Sequence, residues 1–237
     1  LMLDWAARGT VIPPHKVYLY VHWFNASASK MARLKAIARK QPNFEIYGPT
    51  ASVTRVFQEA GFANARVVPY PISQPGAPAA VLAQPFRHVL FAGAARTDKG
   101  FSHVVDLVER MHRDGLRIPV VLQTSPEQAG KYDPAIRADL KRLGDIGYPH
   151  LRIHGETLDP SQYADLFRGA VCLQLYDAAA FADRISGVTL DAFSHGSPVI
   201  STAGSWIARM VERFGAGTIV DSTSPDDVLR AVQQQVA

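Results

Sequence analysis

Two runs of this 237-residue chain combine residue types suited to holding an anion. The first is Gly93-Ala94-Ala95-Arg96-Thr97-Asp98-Lys99-Gly100-Phe101, which follows an apolar run at 88–92 and leads into a helical pattern. A glycine at a strand tip, two cations and a helix start make an anion site from backbone N–H groups, the helix dipole, Arg96 and Lys99. The plain alternative is a solvated turn with incidental charges. The run is neither a G-x-G-x-x-G dinucleotide fingerprint nor a P-loop, because Gly100 follows the lysine and no hydroxyl residue closes the loop. The second run is Asp183-Arg184-Ile185-Ser186-Gly187-Val188-Thr189-Leu190-Asp191, continuing to Ile200. Ser186 and Gly187 open a helix some way past a buried strand, so small residues and free N–H groups face a crevice and suit phosphate. Asp191 lies one turn further in, where a carboxylate can accept both hydroxyls of a ribose. Asp183, in the preceding loop, can approach the same ligand from another side. Loop solvation for Asp183 and a helix-surface salt bridge for Asp191 are the ordinary alternatives.

The elements that must position these residues alternate along the whole chain. In the front part, strands are expected at 17–21, 44–47 and 65–68, with helices at 27–39, N-capped by serine, and from Thr50 through Phe57, stopping at Gly61. Residues 68–78 then hold four prolines and a glycine and read as a stiff extended connector. A domain boundary is placed near residue 74, giving a front part, 1–74, and a main domain, 75–237. In the main domain strands are expected at 88–92, 120–123, 151–154, 171–175, 198–201 and 218–220. Helices are expected at 100–113, 134–143, 160–168, 187–194, 204–214 and 225–236. Six strands separated by crossover helices imply a parallel sheet covered on both faces, an α/β doubly wound domain that binds ligands beyond the carboxyl ends of its strands.

Composition sets the outer bounds. With 47% hydrophobic and 19% charged residues, the chain is an ordinary globular sequence rather than a disordered, collagenous or coiled-coil one. No stretch reaches the roughly 18–20 apolar residues of a membrane helix. The opening Leu1-Met2-Leu3-Asp4 has no signal-peptide pattern, and a start on leucine suggests an excised or truncated chain. The single Cys172, in an apolar run, is expected as a buried thiol, which fits a reducing cytoplasm. Charge is uneven: residues 1–75 carry nine Lys and Arg against three Asp and Glu, whereas residues 76–237 carry sixteen against eighteen. The basic front could meet an anionic membrane surface, the inner face of the membrane, although Lys30, Arg33, Lys35, Arg39 and Lys40 also read as the solvated face of one amphipathic helix. The acidic balance of the main domain gives no basic stripe for nucleic acid.

Weaker patterns are set aside. His150, His154 and Glu156 do not make a metal set on a strand, since i and i+4 lie far apart there and no third close partner appears. The cluster Ser194-His195-Gly196-Ser197 is not a G-x-S-x-G elbow. Tyr176, Phe181 and Trp206 could line the crevice, with core packing the default for aromatics.

In their joint order the two runs resemble the retaining GT-B glycosyltransferases, glycosyltransferase family 4. The first resembles that family's glycine-to-Lys-Gly loop. The second resembles its two acidic residues separated by seven, then Ala, then Gly196-Ser197-Pro198-Val199-Ile200. The resemblance covers about residues 65–236 and includes Val67-Val68-Pro69-Tyr70-Pro71-Ile72, Arg152-Ile153-His154-Gly155 and the segment 204–217. Arg184-Ile185-Ser186-Gly187 with Thr202-Ala203-Gly204-Ser205-Trp206 looks like a bacterial variant.

The resemblance implies a complete nucleotide-sugar domain and the tail of an acceptor-side domain. It implies transfer of a hexosyl group from a UDP- or GDP-sugar to a hydroxyl of a glycan or lipid-linked acceptor, with anomeric configuration kept, as in polysaccharide biosynthesis. Lys99 and Arg96 would neutralise the diphosphate, Asp191 take the ribose, Asp183 face the donor sugar and Ser186, Gly187 and Val188 cap the phosphates. Gly93, Gly100 and Arg184 belong to the same loops, and 154–157, with Gly155, lies along the base. His22 stands where family members often place a cleft histidine, or is simply packed beside Trp23 and Phe24. No D-x-D motif is present, so a metal-independent reaction without cofactor is expected. The family's two glutamates are aspartates here, and its loop arginine is represented only by Arg96, three residues before Lys99. The rival functions are a sugar-nucleotide epimerase on the same fold and a binding or scaffold module that has lost the chemistry.

Overall fold

The computed structural model describes residues 7–8, 16–70, 84–124 and 133–236. The proline-rich connector expected at 68–78 falls outside them from residue 71 onward. By internal contacts the chain divides into two units, Leu1–Ser73 with Asp183–Ile185, and Gln74–Ala182 with Ser186–Ala237.

The front unit carries a three-stranded parallel sheet, order β1-β2-β3, from β1 (Val17–Tyr20), β2 (Phe44–Gly48) and β3 (Asn64–Val67). Its crossovers are α1 (Ala28–Lys40) and α2 (Ala51–Glu59), each started by a side-chain N-cap: Ser27 accepts from the Lys30 amide and Thr50 from the Val53 amide. Both caps are where the sequence places them. Leu34, Ile37, Phe44, Ile46, Val53 and Phe57 interlock as a small core of their own. The basic residues of α1 all lie on its exposed side, opposite Leu34, Ile37 and Ala38.

The larger unit holds a six-stranded, wholly parallel sheet in the order β6-β5-β4-β7-β8-β9. The strands are β4 (His88–Ala92), β5 (Val120–Gln123), β6 (Leu151–His154), β7 (Ala170–Gln174), β8 (Val199–Thr202) and β9 (Gly217–Val220). Between them run α3 (Phe101–Arg113), α4 (Pro134–Ile146), α5 (Pro160–Asp165), α6 (Gly187–Ser194) and α7 (Trp206–Phe214), and α8 (Pro225–Val236) follows β9. The central strands β4 and β7 are buried at every position, as a parallel sheet covered on both faces requires. Val89, Phe91, Val120, Leu122, Val171 and Leu173 pack against Phe101, Val104, Val108 and Met111 of α3. The sequence expectation of an α/β doubly wound parallel sheet therefore holds. Three bounds are corrected: α4 runs on to Ile146, where Gly147 in the left-handed region (φ 65°) stops it, a 3-10 turn, Thr97–Lys99, precedes α3, and the helix expected at 160–168 ends at Asp165, beyond which the amides of Leu166, Phe167 and Arg168 bond three residues back instead of four.

The strand order places the site. From β4 the chain moves outward through β5 to β6, then returns to lay β7 on the other side of β4. The order reverses between β4 and β7, and the loops leaving their carboxyl ends diverge around a crevice there.

Candidate functional site

The loop after β4 is built by its two glycines, and they do different work. Gly93 has φ 103°, and a β-carbon added to it would stand 2.5 Å from Lys99 Nζ and 3.7 Å from Val188 Cγ2. The bare backbone is what lets the ammonium and the start of α6 close on the strand tip. The Gly93 amide donates to Gln123 Oε1 at the end of β5 (2.8 Å), so that N–H anchors the loop instead of facing a ligand. Gly100, at φ 67°, is buried, and a β-carbon on it would run into the Leu175 carbonyl oxygen at the exit of β7. The Asp177 amide donates to the Asp98 carbonyl (3.0 Å), tying the two loops together.

Lys99 occupies the 3-10 turn between the glycines, with its ammonium 5.6 Å from the ring centre of Tyr176. Arg96 lies in the same loop, but its guanidinium pairs with the Asp98 carboxylate two residues on, so its charge is already partly matched. Of the two cations expected on a phosphate, Lys99 is the one set against the α6 opening.

Facing it, Ser186 N-caps α6 by accepting from the Thr189 amide. The cap leaves the amides of Gly187 and Val188 without intrahelical partners, the usual condition of a helix start. Gly187 is exposed and its missing side chain would meet only open space. Beneath the helix, Thr189 donates its hydroxyl to Gln174 Oε1, both fully buried, which locks the first turn of α6 to the end of β7. Gln174 Nε2 and Tyr176 Oη are buried without a hydrogen-bond partner. Burial pushes the Tyr176 phenol well above its ordinary range.

Asp191 is half-buried one turn into α6. Burial raises its pKa above the usual carboxylate value, while Tyr163 and His195 act to lower it. The Tyr163 hydroxyl donates to Asp191 Oδ2 at 3.0 Å. So Gly93, Lys99, Gly100, Ser186, Gly187, Val188 and Asp191 gather around the reversal of strand order.

The remaining expected residues have surroundings of their own. Asp183 and Arg184 group with the front unit, where the Arg184 guanidinium lies 5.0 Å from the Trp23 ring centre. His22, exposed past the end of β1, packs edge-on to Tyr20 (5.1 Å between ring centres) and tilted to Tyr70 (5.4 Å), rather than simply beside Trp23 and Phe24. Gly155 is exposed at the end of β6, two strands from β4, about 10 Å at the usual strand spacing. Tyr176, Phe181 and Trp206 are all buried, and Tyr176 packs on Phe181 at 4.6 Å. Cys172 is buried, with its thiol pushed well up in pKa. Among the described residues no group of three His, Cys, Asp or Glu is placed to hold a metal, and no helix is long and apolar enough to cross a membrane.

Sequence reasoning missed Gln123, Gln174, Thr189 and Tyr163. Each acts across 15 to 30 residues of chain, where no local spacing rule reaches.

No protein-family model matches the chain, and no curated protein does. Solved structures do match, 116 chains of them. One is the UDP-forming α,α-trehalose-phosphate synthase of Burkholderia xenovorans, in complex with glucose-6-phosphate. It has TM-score 0.63 and 16% identity, covering 94% of this chain and 61% of that one. A second is a trehalose-6-phosphate synthase studied for glycosyl transfer with retention, with TM-score 0.63 and 15% identity, covering 92% and 60%. A third is AviGT4, a glycosyltransferase of avilamycin A biosynthesis, with TM-score 0.54 and 20% identity, covering 79% and 53%. The fold is that of the GT-B glycosyltransferases. At these identities the likeness is one of architecture. The chain spans about 60% of the length of the trehalose-phosphate synthases it matches.

Proposed function

We propose that the chain is the nucleotide-sugar-binding part, with some of the acceptor-side domain, of a retaining glycosyltransferase. The reaction moves a hexosyl group from a UDP- or GDP-sugar to a hydroxyl of a glycan or lipid-linked acceptor. The observation that carries this reading is the closure of Lys99 and the capped N-terminus of α6 on Gly93 at the strand-order reversal. An ammonium and a helix N-terminus set against the same strand tip suit a diphosphate better than any neutral ligand.

In this reading Lys99 stabilises the charge that grows on the departing nucleoside diphosphate as the glycosidic bond breaks. The helix opening shares that charge, and Arg96, held on Asp98, contributes less. No metal is required for the neutralisation. Asp191 takes the ribose, while Asp183 and His22 are assigned to the donor sugar by family resemblance alone. UDP stands first among the probes because one matching synthase is UDP-forming, and another was studied for glycosyl transfer with retention, the stereochemistry proposed.

The test is calorimetric titration of UDP, GDP, ADP and NAD into the chain, with Lys99→Ala and Asp191→Ala as controls and chelator present throughout. Selective binding of one nucleoside diphosphate, weakened by both substitutions and indifferent to chelator, supports the reading. A folded chain that binds none of them sinks it. In a protein with turnover, Asp183→Ala should abolish transfer and keep nucleotide affinity, whereas a scaffold has no turnover to lose.

A further inference from the structure

Asp191 has a partner that the expected site does not include. Tyr163 sits on α5, a helix of six residues that is too short to hold itself together in water. A reciprocal cap secures it: Asp159 Oδ1 accepts from the amides of Ser161 (2.8 Å) and Gln162 (2.9 Å), and the Gln162 side chain accepts from the Asp159 amide (3.1 Å). Pro160 occupies the first turn, where its missing N–H is no loss. The Tyr163 ring packs edge-on against Phe167 at 5.2 Å, and the fully buried Phe167 is stacked in turn by His195 at 5.5 Å. The His195 ring is fixed to α6 through its Nδ1 and the Asp191 carbonyl oxygen (2.8 Å). Ring and hydroxyl are therefore set from both ends, and the hydroxyl meets Asp191 Oδ2 at 3.0 Å.

We propose that Tyr163 is a positioning residue for nucleoside recognition: by donating to Oδ2 it fixes the Asp191 carboxylate so that Oδ1 is presented to the ribose hydroxyls. The proposal rests on the reading of Asp191 as the ribose-binding group. Because Tyr163 stays protonated well beyond the ordinary phenol range, it is always the donor and the carboxylate always the acceptor. The ionisable groups bearing on that carboxylate are Tyr163 from α5 and His195 from the end of α6 itself.

The experiment compares UDP, GDP and ADP with their 2′,3′-dideoxy forms on the full chain, in wild type, Tyr163→Phe, Asp191→Ala and the double variant, with folding checked by circular dichroism. Tyr163→Phe should lower affinity for the ribonucleotide roughly 3- to 10-fold, leave the dideoxy form unchanged, and add nothing in the Asp191→Ala background. The pH at which ribose preference is lost should move up in Tyr163→Phe, because the bond that favours the ionised carboxylate is gone. A 3-fluorotyrosine at 163, a stronger donor of nearly the same shape, should move it down, and this arm stands even where the phenylalanine variant does not fold. Equal loss for both nucleotide forms, or no loss for either, while Asp191→Ala still removes ribose preference, overturns the positioning role and leaves the ribose site standing. If Asp191→Ala keeps the ribose preference, the ribose reading fails and the positioning role goes with it.

Discussion

Lys99 and Asp191 answer to opposite electrostatic demands. Lys99 is placed to meet charge brought by a ligand and also rests over the Tyr176 ring, so its loss should be felt more in binding than in folding. A hydrogen bond between charged groups contributes about 1.5–3 kcal/mol, which predicts that Lys99→Ala weakens nucleoside diphosphate binding about 10- to 100-fold, as calorimetric titration would read. Asp191 instead carries its charge into a half-buried setting that raises its pKa above the ordinary 3.8. A carboxyl with a raised folded-state pKa binds its proton more tightly when folded. Its contribution to stability is therefore fully present below the unfolded value and is lost as pH rises through the folded one. Asp191→Asn removes that loss, so its melting temperature should exceed wild type at pH 7, with the gap closing as pH falls toward 3. Thermal unfolding monitored across that range reads it directly. A variant more stable than wild type yet poorer at binding ribonucleotides would mark Asp191 as a residue kept for function.

At the scale of elements, two backbone positions that look alike in sequence separate cleanly. Gly100 must be glycine because its left-handed φ of 67° lets the loop pass against the Leu175 carbonyl. The left-handed conformation alone costs a side chain about 1–2 kcal/mol, and the collision adds to it. Gly100→Ala should thus lower the melting temperature by several degrees whether or not nucleotide is present. The obstacle beside Gly93 is the flexible end of Lys99, which can yield, so Gly93→Ala should weaken nucleotide binding more than its backbone strain weakens folding. Ser186 joins both roles as the cap of α6. Its replacement by alanine is expected to cost about 1 kcal/mol of stability, and to loosen the amides of Gly187 and Val188 as well. Much of this level was readable beforehand. Ser27, Thr50 and Ser186 each sit one residue before their helices, and the 3.6-residue apolar pattern of α3 survives intact. The 3-10 turn holding Lys99 was not, because nothing in Thr97-Asp98-Lys99 separates a tight turn from the first turn of an α-helix.

For the molecule as a whole, the asymmetry of charge carries a prediction that neither sheet does. Lys30, Arg33, Lys35, Arg39 and Lys40 are exposed together along α1. Basic residues near an anionic bilayer contribute about 1 kcal/mol each, screened within a Debye length of about 10 Å at 0.1 M salt. The chain should therefore sediment with phosphatidylserine vesicles at low salt, be released by salt, and fail to bind when three of these residues are changed to Gln. Equal binding to neutral vesicles would discount the basic face. The sequence by itself determined the alternation of strands and helices, the covered parallel sheet, the helix caps and the two loops worth attention, because each follows from the periodicity of burial or from a few adjacent residues. Only the tertiary structure decided that β7 returns beside β4, which is what brings Lys99 to the opening of α6. It also tied Gly93 to Gln123, matched Arg96 to Asp98 and set Tyr163 on Asp191. Strand order and long-range hydrogen bonds depend on which elements pack side by side, and local spacing does not encode that choice.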